Sequence, residues 1–410
     1  MRHYIDSGID WIGKIPEGWR INKFKHLFRI KKILAGKLGY DVLSVTQQGL
    51  KVKNIISNEG QVANDYTNYQ LVFPNDFVMN HMDLLTGYVD VSKQEGVTSP
   101  DYRTFYAINP KDVINQYYLY IFQFCYKTRL FYNLGQGVSN FGRWRLPAEQ
   151  QKEFVLPYPP VSEQLKIVDY LNEKCGKIDS LISLQEQMIE KLTAYKQSVI
   201  SETVTKGLDP NAKLVPSGIN WIGKYPENWT ICRFKNLHDR ANVGESIDKE
   251  YCTENTSDTL FYTAGIKPIY TSYKDFPEWK YVKEKDLLLS RNGTPYVYLP
   301  LQGAVYSDHI IRTPIKDEVL KEYVRYCLQQ AISTVVVDTV SIATWSVSVW
   351  DKQFLPFPSM TEQKQIVNYL NEKCSDIDYL ITLKQKKIEI LKDYKKSVIY
   401  EAVTGKSIIE

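Results

Sequence analysis

The sequence predicts an α+β protein in which two bodies of mixed α/β structure alternate with two long helices. The helices pair as an antiparallel coiled coil, and the halves are related by a pseudo-two-fold internal repeat. Three observations predict this. A tryptophan-containing opening motif occurs twice, a heptad-patterned tail occurs twice, and the residues between them in each half carry short β-rich runs followed by one helix. The resulting boundaries are residues 1–158 for the first body, 159–207 for a central helical segment, 208–357 for the second body and 358–410 for a C-terminal helical segment.

The opening motif runs Ser7-Gly8-Ile9-Asp10-Trp11-Ile12-Gly13-Lys14, then Pro16-Glu17 and Trp19, then Phe24-Lys25 and Leu27. It returns as Ser217-Gly218-Ile219-Asn220-Trp221-Ile222-Gly223-Lys224, Pro226-Glu227, Trp229, Phe234-Lys235 and Leu237, 210 residues later. The tail Ser162–Thr205 realigns on Thr361–Thr404 at an offset of 199, identical at 26 of 44 positions. The material between, roughly 28–158 and 238–357, shows no alignment. Duplication followed by divergence of the bodies is the simplest account.

Each tail reads as one helix. Ser162 and Thr361 are the expected N-caps, each followed by an acid and a glutamine, and Gly207 and Gly405 mark the ends. Leu171, Ile178, Gln185, Leu192 and Val199 share one heptad position, which sets Lys174, Leu181, Met188 and Tyr195 at the other, with Cys175, Ile182 and Ile189 beside them. In the second tail the series is Leu370, Ile377, Lys384, Leu391 and Val398, then Leu380 and Tyr394, flanked by Cys374, Ile381 and Ile388. Such spacing over five heptads argues for a coiled coil. About forty residues at 1.5 Å each give a rod of roughly 60 Å. Neither rod can hide its seam alone, so the two are expected to pair, antiparallel because a whole body lies between them.

In the first body, Asp41–Val45 and Asn75–Met79 read as strands and Gln116–Tyr132 as a helix. In the second, Lys285–Ser290 and Gly303–Tyr306 read as strands and Lys316–Ala331 as a helix. The length of 410 residues agrees with several domains, and 43% hydrophobic with 24% charged residues excludes a disordered or fibrous chain. No apolar run approaches a membrane span and the first residues carry no apolar signal core, so a soluble, cytoplasmic protein is expected. The six cysteines, at 125, 175, 232, 252, 327 and 374, form no CxxC pair and have no histidine at ligand spacing, which argues for reduced thiols and no metal site. The net charge of +4 is unevenly spread: Lys plus Arg against Asp plus Glu is 19 to 14 over residues 1–161, but 17 to 18 over 208–360.

Catalytic motifs fail on inspection. Gly405-Lys406-Ser407 lacks the upstream glycine of a phosphate loop, where Tyr400 stands, and Gly135-Gln136-Gly137 lacks the third glycine of a dinucleotide fingerprint. Tyr158-Pro159-Pro160-Val161 has the wrong first and last residues for the signature of an amino-methylating DNA methyltransferase. No catalytic residue is assigned.

Recognition chemistry survives. Arg20 to Lys37 holds seven cations and no acid, a phosphate-binding footprint or a solvated face. Its candidates for DNA contact are Lys31, Lys32 and Lys37. Loops supply the others, of the residue types that meet phosphates and base edges. In the first body they are Asn80, His81, Tyr102, Arg103, Asn140, Arg143 and Arg145. In the second they are Arg291, Asn292, Thr294, His309, Arg312, Thr344 and Ser346. Trp144 and Trp345, beside these loops, read as core side chains. The spacer and partner-docking candidates on the helices are Leu171, Ile178, Ile182, Leu192, Val199, Leu370, Ile377, Ile381, Leu391 and Val398.

The Gly-Ile-Asp/Asn-Trp-Ile-Gly motif with its downstream Pro and Trp, the Pro159-Pro160-Val161-Ser162-Glu163-Gln164 start of the first tail with Ile167 and Leu171, and the duplicated layout resemble the specificity subunit of type I restriction–modification systems. The second copy departs from the pattern, since Pro358-Ser359-Met360-Thr361-Glu362-Gln363 keeps one proline. The resemblance implies that each body is a target recognition domain reading one half of a bipartite double-stranded DNA target. It implies too that the helices set the spacing and hold two modification (methyltransferase) subunits, which restriction/translocase subunits join. S-adenosylmethionine, ATP and Mg would then belong to those partners, and this subunit would need no cofactor. A coiled-coil scaffold joining two interaction domains without nucleic acid is the competing reading.

Overall fold

The computed structural model of the chain describes residues 2–53, 65–137, 144–335 and 344–409. It divides into two compact units, one of residues 1–186 with 385–410 and one of residues 187–384. In chain order, the elements that position the site begin with β1 (Phe28–Lys31), β2 (Phe77–Met79), β3 (Val89–Val91), β4 (Arg103–Ala107), α1 (Asn115–Lys127) and α2 (Val161–Lys206). They continue with β5 (Asn242–Val243), β6 (Asp286–Ser290), β7 (Val297–Tyr298), β8 (Ile310–Pro314), α3 (Lys321–Ser333) and α4 (Met360–Val403). Both long helices cross the unit boundary, so each unit holds the first part of one and the last part of the other.

In the first unit the sheet order is β1-β4-β2-β3, antiparallel throughout. Phe77, Val78 and Met79 are buried, as expected of a strand with neighbours on both sides and cover on both faces. The core is aromatic. Phe77 stacks on Phe105 at 4.8 Å, and Phe28 and Phe122 meet Phe77 edge-on at 5.4 and 5.6 Å, the offset and T-shaped geometries that ring quadrupoles favour. α1 is shorter than the sequence suggests: it stops at Lys127 because Arg129 takes a left-handed φ of 60°, and a separate turn, Leu130–Asn133, follows.

The second unit repeats that sheet as β5-β8-β6-β7. Leu287, Leu288 and Leu289 are fully buried, and Leu287 and Leu289 share a core with Ile311, Trp345 and Trp350. α3 begins at Lys321, five residues after the expected Lys316. Residues 316–320 are a docking turn instead, with the Lys316 amide bonded to Leu237 O and the Leu320 amide to Gln363 Oε1. The units differ in what flanks the shared sheet. The first has the hairpin Leu43–Thr46 with Gly49–Val52, and the second has a further four-stranded sheet built on Thr259–Tyr262.

The long helices pair antiparallel within each unit. Ile167, Val168, Leu171 and Cys175 share one core with Val398, Ile399 and Ala402 in the first unit, and Val199 and Val204 share one with Ile366, Val367, Leu370 and Cys374 in the second. Lys395 reaches Asp179 at 2.6 Å in the first unit, and Lys196 reaches Asp378 at 2.6 Å in the second. Each pair is the repeat image of the other, at the 199-residue offset. Being exposed, each contributes only about 0.2–1 kcal/mol, so these pairs mark the register rather than hold it.

The seam corrects the sequence reading in one respect. Leu181, Met188, Tyr195, Leu380 and Tyr394 are exposed, not at the second heptad position of the interface. The buried arc steps by four and three residues, through Leu171, Cys175 and Ile178 in the first unit, because one face must serve both the partner helix and the body. Ser162 and Thr361 also fall inside the first turns, so the N-caps lie earlier. Ser359 supplies the second: its Oγ accepts from the Glu362 amide while Glu362 Oε2 reaches back to it at 3.1 Å, a capping box. The lost proline of the second copy is thus replaced by a cap.

The Glu-Gln pair joins helix, opening motif and body. Trp19 Nε1 donates to Glu163 at 2.8 Å, and Trp229 Nε1 donates to Glu362 at 3.1 Å. Gln164 is buried, donating to Pro159 O and accepting from the Ile114 amide. Gln363 does the same with Pro358 O and Leu320. The same tryptophans cover the helix ends. Gly405, with φ +72°, lies against Trp19 and Pro16, and Gly207, with φ +75°, lies against Trp229.

Candidate nucleic-acid interface

The antiparallel order brings one end of each sheet together from loops far apart in sequence. In the first unit Arg103 pairs with Met79, and Thr104 pairs with both Val78 and Lys31. The C-terminal ends of β1 and β2 and the start of β4 therefore share an edge, with Lys32, Asn80, His81, Tyr102 and Arg103 on it. Residues 144–146 cross this edge. The Leu146 amide donates to His81 O at 2.9 Å, the Leu84 amide donates to Trp144 O, and Arg145 bridges Gln136.

Within that cluster the roles separate. Arg103 is buried, donating to Gln151 Oε1 at 2.5 Å and Leu146 O at 3.2 Å, and burial pulls its guanidinium down to about 10, still charged at neutral pH. It braces the crossing segment. His81 is pulled from 6.5 to about 4, first by burial and then by the Arg103 and Arg145 charges. It is therefore neutral at physiological pH, and its Nδ1 has no hydrogen-bond partner among the described residues. Asn80 is half-buried, its side chain accepting from the Met82 amide. Lys32 and Arg145 are exposed at this edge, and Lys37, also exposed, lies beyond it on the loop after β1 with its ammonium 5.4 Å from the Tyr40 ring. Lys31 is not free for phosphate: it is buried against Asp76, with Phe73 under its ammonium at 4.5 Å. Asn140 and Arg143 lie outside the described residues.

The second unit uses the same end of its sheet. Ser290 pairs with Ile310, so Arg291 and Asn292 leave β6 where His309 enters β8. Residues 344–346 cross here as 144–146 do in the first unit, with the Trp345 amide donating to Arg291 O at 2.7 Å and Asn292 bridging Thr344. Arg291, Asn292, His309 and Thr344 thus meet, and exposed Thr294 and Ser346 flank them. Arg312 does not join them. It is buried, donating to Asp286 at 2.6 Å and to Trp279 O at 2.8 Å. Trp345 is core, as read, its indole donating to Gly293 O; Trp144 is half-buried and stacked on Tyr132.

Sequence reading found the loops but missed their braces. Gln136, Gln151 and the Asp308 carbonyl, which accepts from Arg291, hold the candidates in place. Nothing local marks them, because each partner lies in another loop. Among the described residues no cluster of His, Cys, Asp or Glu is placed to hold a metal ion, and no helix is long and apolar enough to cross a membrane. All six cysteines are free thiols, and burial pushes Cys327 up to about 12 and Cys232 up to about 11, so neither is a reactive thiolate.

On the helices, the predicted spacer residues Leu171, Ile178, Val199, Leu370, Ile377 and Val398 are buried, and Ile182, Leu192, Ile381 and Leu391 are half-buried. Their place is the seam. The apolar side chains that face outward from these helices are others: Leu165, Leu181, Leu184, Ile390 and Tyr394 in the first unit, and Met188, Tyr195, Tyr379, Leu380 and Leu383 in the second.

Comparison with known proteins agrees with this layout. The family of the type I restriction modification DNA specificity domain matches residues 16–194. A type I restriction enzyme specificity subunit of Methanocaldococcus jannaschii, designated MjaX, is 23% identical over 96% of this chain and 95% of its own length. The MjaVIII specificity subunit of the same organism is 24% identical over 61% of each. A solved chain from work on complex assembly and conformational transition of the type I R-M system superposes with a TM-score of 0.71. It covers 95% of this chain and 98% of that one, at 13% identity, a likeness of fold. With the doubled opening motif, the doubled Glu-Gln helix start and two bodies on one sheet plan, the chain is similar over nearly its whole length to a type I restriction–modification specificity subunit.

Proposed function

We propose that the chain is the non-catalytic DNA-recognition subunit of a type I restriction–modification complex, each body reading one half of a bipartite duplex target and the helix pair setting the spacing. The observation that carries this is that two bodies without alignable sequences gather donors and acceptors at the same end of the same sheet. Selection has kept the platform and varied the residues on it, as two readers of different half-sites require. Lys32, Lys37 and Arg145 are the phosphate or base contacts of the first body, and Arg291, Asn292, Thr294, His309, Thr344 and Ser346 supply those of the second.

The exposed apolar residues of the two long helices are the docking surface for two modification subunits, with restriction/translocase subunits joining through them. S-adenosylmethionine, ATP and Mg act on those partners, and the complex works in the cytoplasm. A charge balance near neutral in the second body suits a subunit that gains affinity from its partners' charges. The test is co-expression with a modification subunit followed by methylome sequencing. Adenine methylation confined to one two-part motif is expected, and a complex that forms yet methylates no defined sequence would instead favour the scaffold reading.

A further inference from the structure

We infer that Asn292 is the adenine-reading side chain of the second body and that His309 is the positioning residue that orients it. The inference rests on the reading of this body as a DNA reader. Asn292 Nδ2 lies 2.7 Å from His309 Nδ1. An amide nitrogen only donates, so in this pairing Nδ1 is the acceptor and Nε2 carries the N–H. One N–H of the asparagine is thereby spent, leaving the second N–H and the Oδ1 acceptor side by side. That pair is the complement of adenine in the major groove, where N6–H donates and N7 accepts.

The backbone around Asn292 is fixed before any ligand arrives. The Arg291 amide donates to His309 O at 2.8 Å, and the Trp345 amide donates to Arg291 O at 2.7 Å. The Trp345 indole, itself buried, donates to Gly293 O at 2.7 Å. Asn292 also bridges Thr344. Both flanking peptides are thus pinned, and the orientation of the side-chain amide is left to be chosen. His309 chooses it: Asp308 Oδ1, 3.9 Å from Nε2, favours the tautomer with its N–H there, and turning the amide over would then set Oδ1 against the Nδ1 lone pair. Preorganisation of this kind converts a polar loop residue into a discriminating one.

The test uses the complex with its modification subunits on a plasmid library carrying randomised duplex, with methylated sites read by sequencing. Wild type yields a two-part motif; a wild type with no motif overturns this inference together with the reading beneath it. Asn292→Ala is expected to relax one adenine position in one half-site by about ten- to hundredfold, with the other half-site unchanged. Asn292→Asp keeps the shape but only accepts, so the same position should move toward cytosine, whose N4 donates; this variant guards against a misfolded alanine mutant. His309→Ala should relax the same position as Asn292→Ala. His309→Gln, which returns an acceptor to the asparagine, should restore it, which loss of packing alone would not. An unchanged motif in Asn292→Ala, a relaxed base other than adenine, or a different position relaxed by His309→Ala would each overturn the assignment.

Discussion

Asp76 and Asp286 occupy the same place in the two bodies, at the start of the buried central strand. Each accepts from the amide three residues earlier, Phe73 or Lys283, at 2.6 Å, and each takes one buried cation, Lys31 or Arg312. Both cations look like phosphate contacts in the sequence and both are structural. Charge alone could not separate them from Lys37, because what differs is a carboxylate brought near by the sheet. Breaking such a pair leaves a buried charge without its partner, which costs about 3–5 kcal/mol. Asp76→Ala should therefore lower the denaturation midpoint severely. Lys37→Ala, at an exposed site, should leave stability within about 0.5 kcal/mol and instead reduce the salt dependence of binding by the assembled complex by about one unit of slope. If Lys37→Ala leaves that slope unchanged while Lys32→Ala lowers it, the contact belongs to the neighbouring lysine.

At the scale of elements, the heptad pattern shows in the sequence that the helices exist and pair, but not which flank of the stripe is buried. Residues three and four positions from Leu171 both follow the repeat, and Lys174 and Cys175 compete for the seam. The choice falls to Cys175 because the same face must also meet the body, a tertiary demand that periodicity does not carry. The consequence separates two leucines only ten residues apart. Leu171 is 0% exposed and Leu181 is 44% exposed. Leu171→Ala should cost about 2–5 kcal/mol, as a cavity in a packed core does. Leu181→Ala should leave the melting curve nearly unmoved and weaken association with the modification subunit, measured by titration of the purified proteins. Loss of stability with unaltered association would place Leu181 in a seam after all.

For the molecule as a whole, the parts legible in the sequence are those held by particular atoms. Trp19 to Glu163, and Gln164 to Pro159 and Ile114, need those side chains and no others, so they recur as Trp229, Glu362 and Gln363. The shared sheet needs only apolar volume, which Phe77, Phe105 and Phe122 fill in one body and Leu287, Ile311 and Trp350 in the other; this is why its repetition escapes alignment. A constant frame carrying exchangeable readers makes spacing and sequence separable properties. Removing one heptad from each long helix, near residues 186 and 385, shortens each helix by about 10 Å, since each residue rises 1.5 Å. Seven residues are close to two helical turns, so the buried stripe stays in register. About 10 Å of duplex is roughly three base pairs, and it turns the two half-sites by about 100° relative to each other. The doubly shortened subunit should thus methylate the same two half-sites with the gap reduced by about three base pairs, and more weakly than wild type because of that turn. Deleting the heptad from one helix alone puts the repeat-related ion pairs Lys395–Asp179 and Lys196–Asp378 out of register and should abolish assembly rather than shift the gap. Methylome sequencing distinguishes the outcomes: altered half-sites with an unchanged gap would mean that the helices do not set the distance.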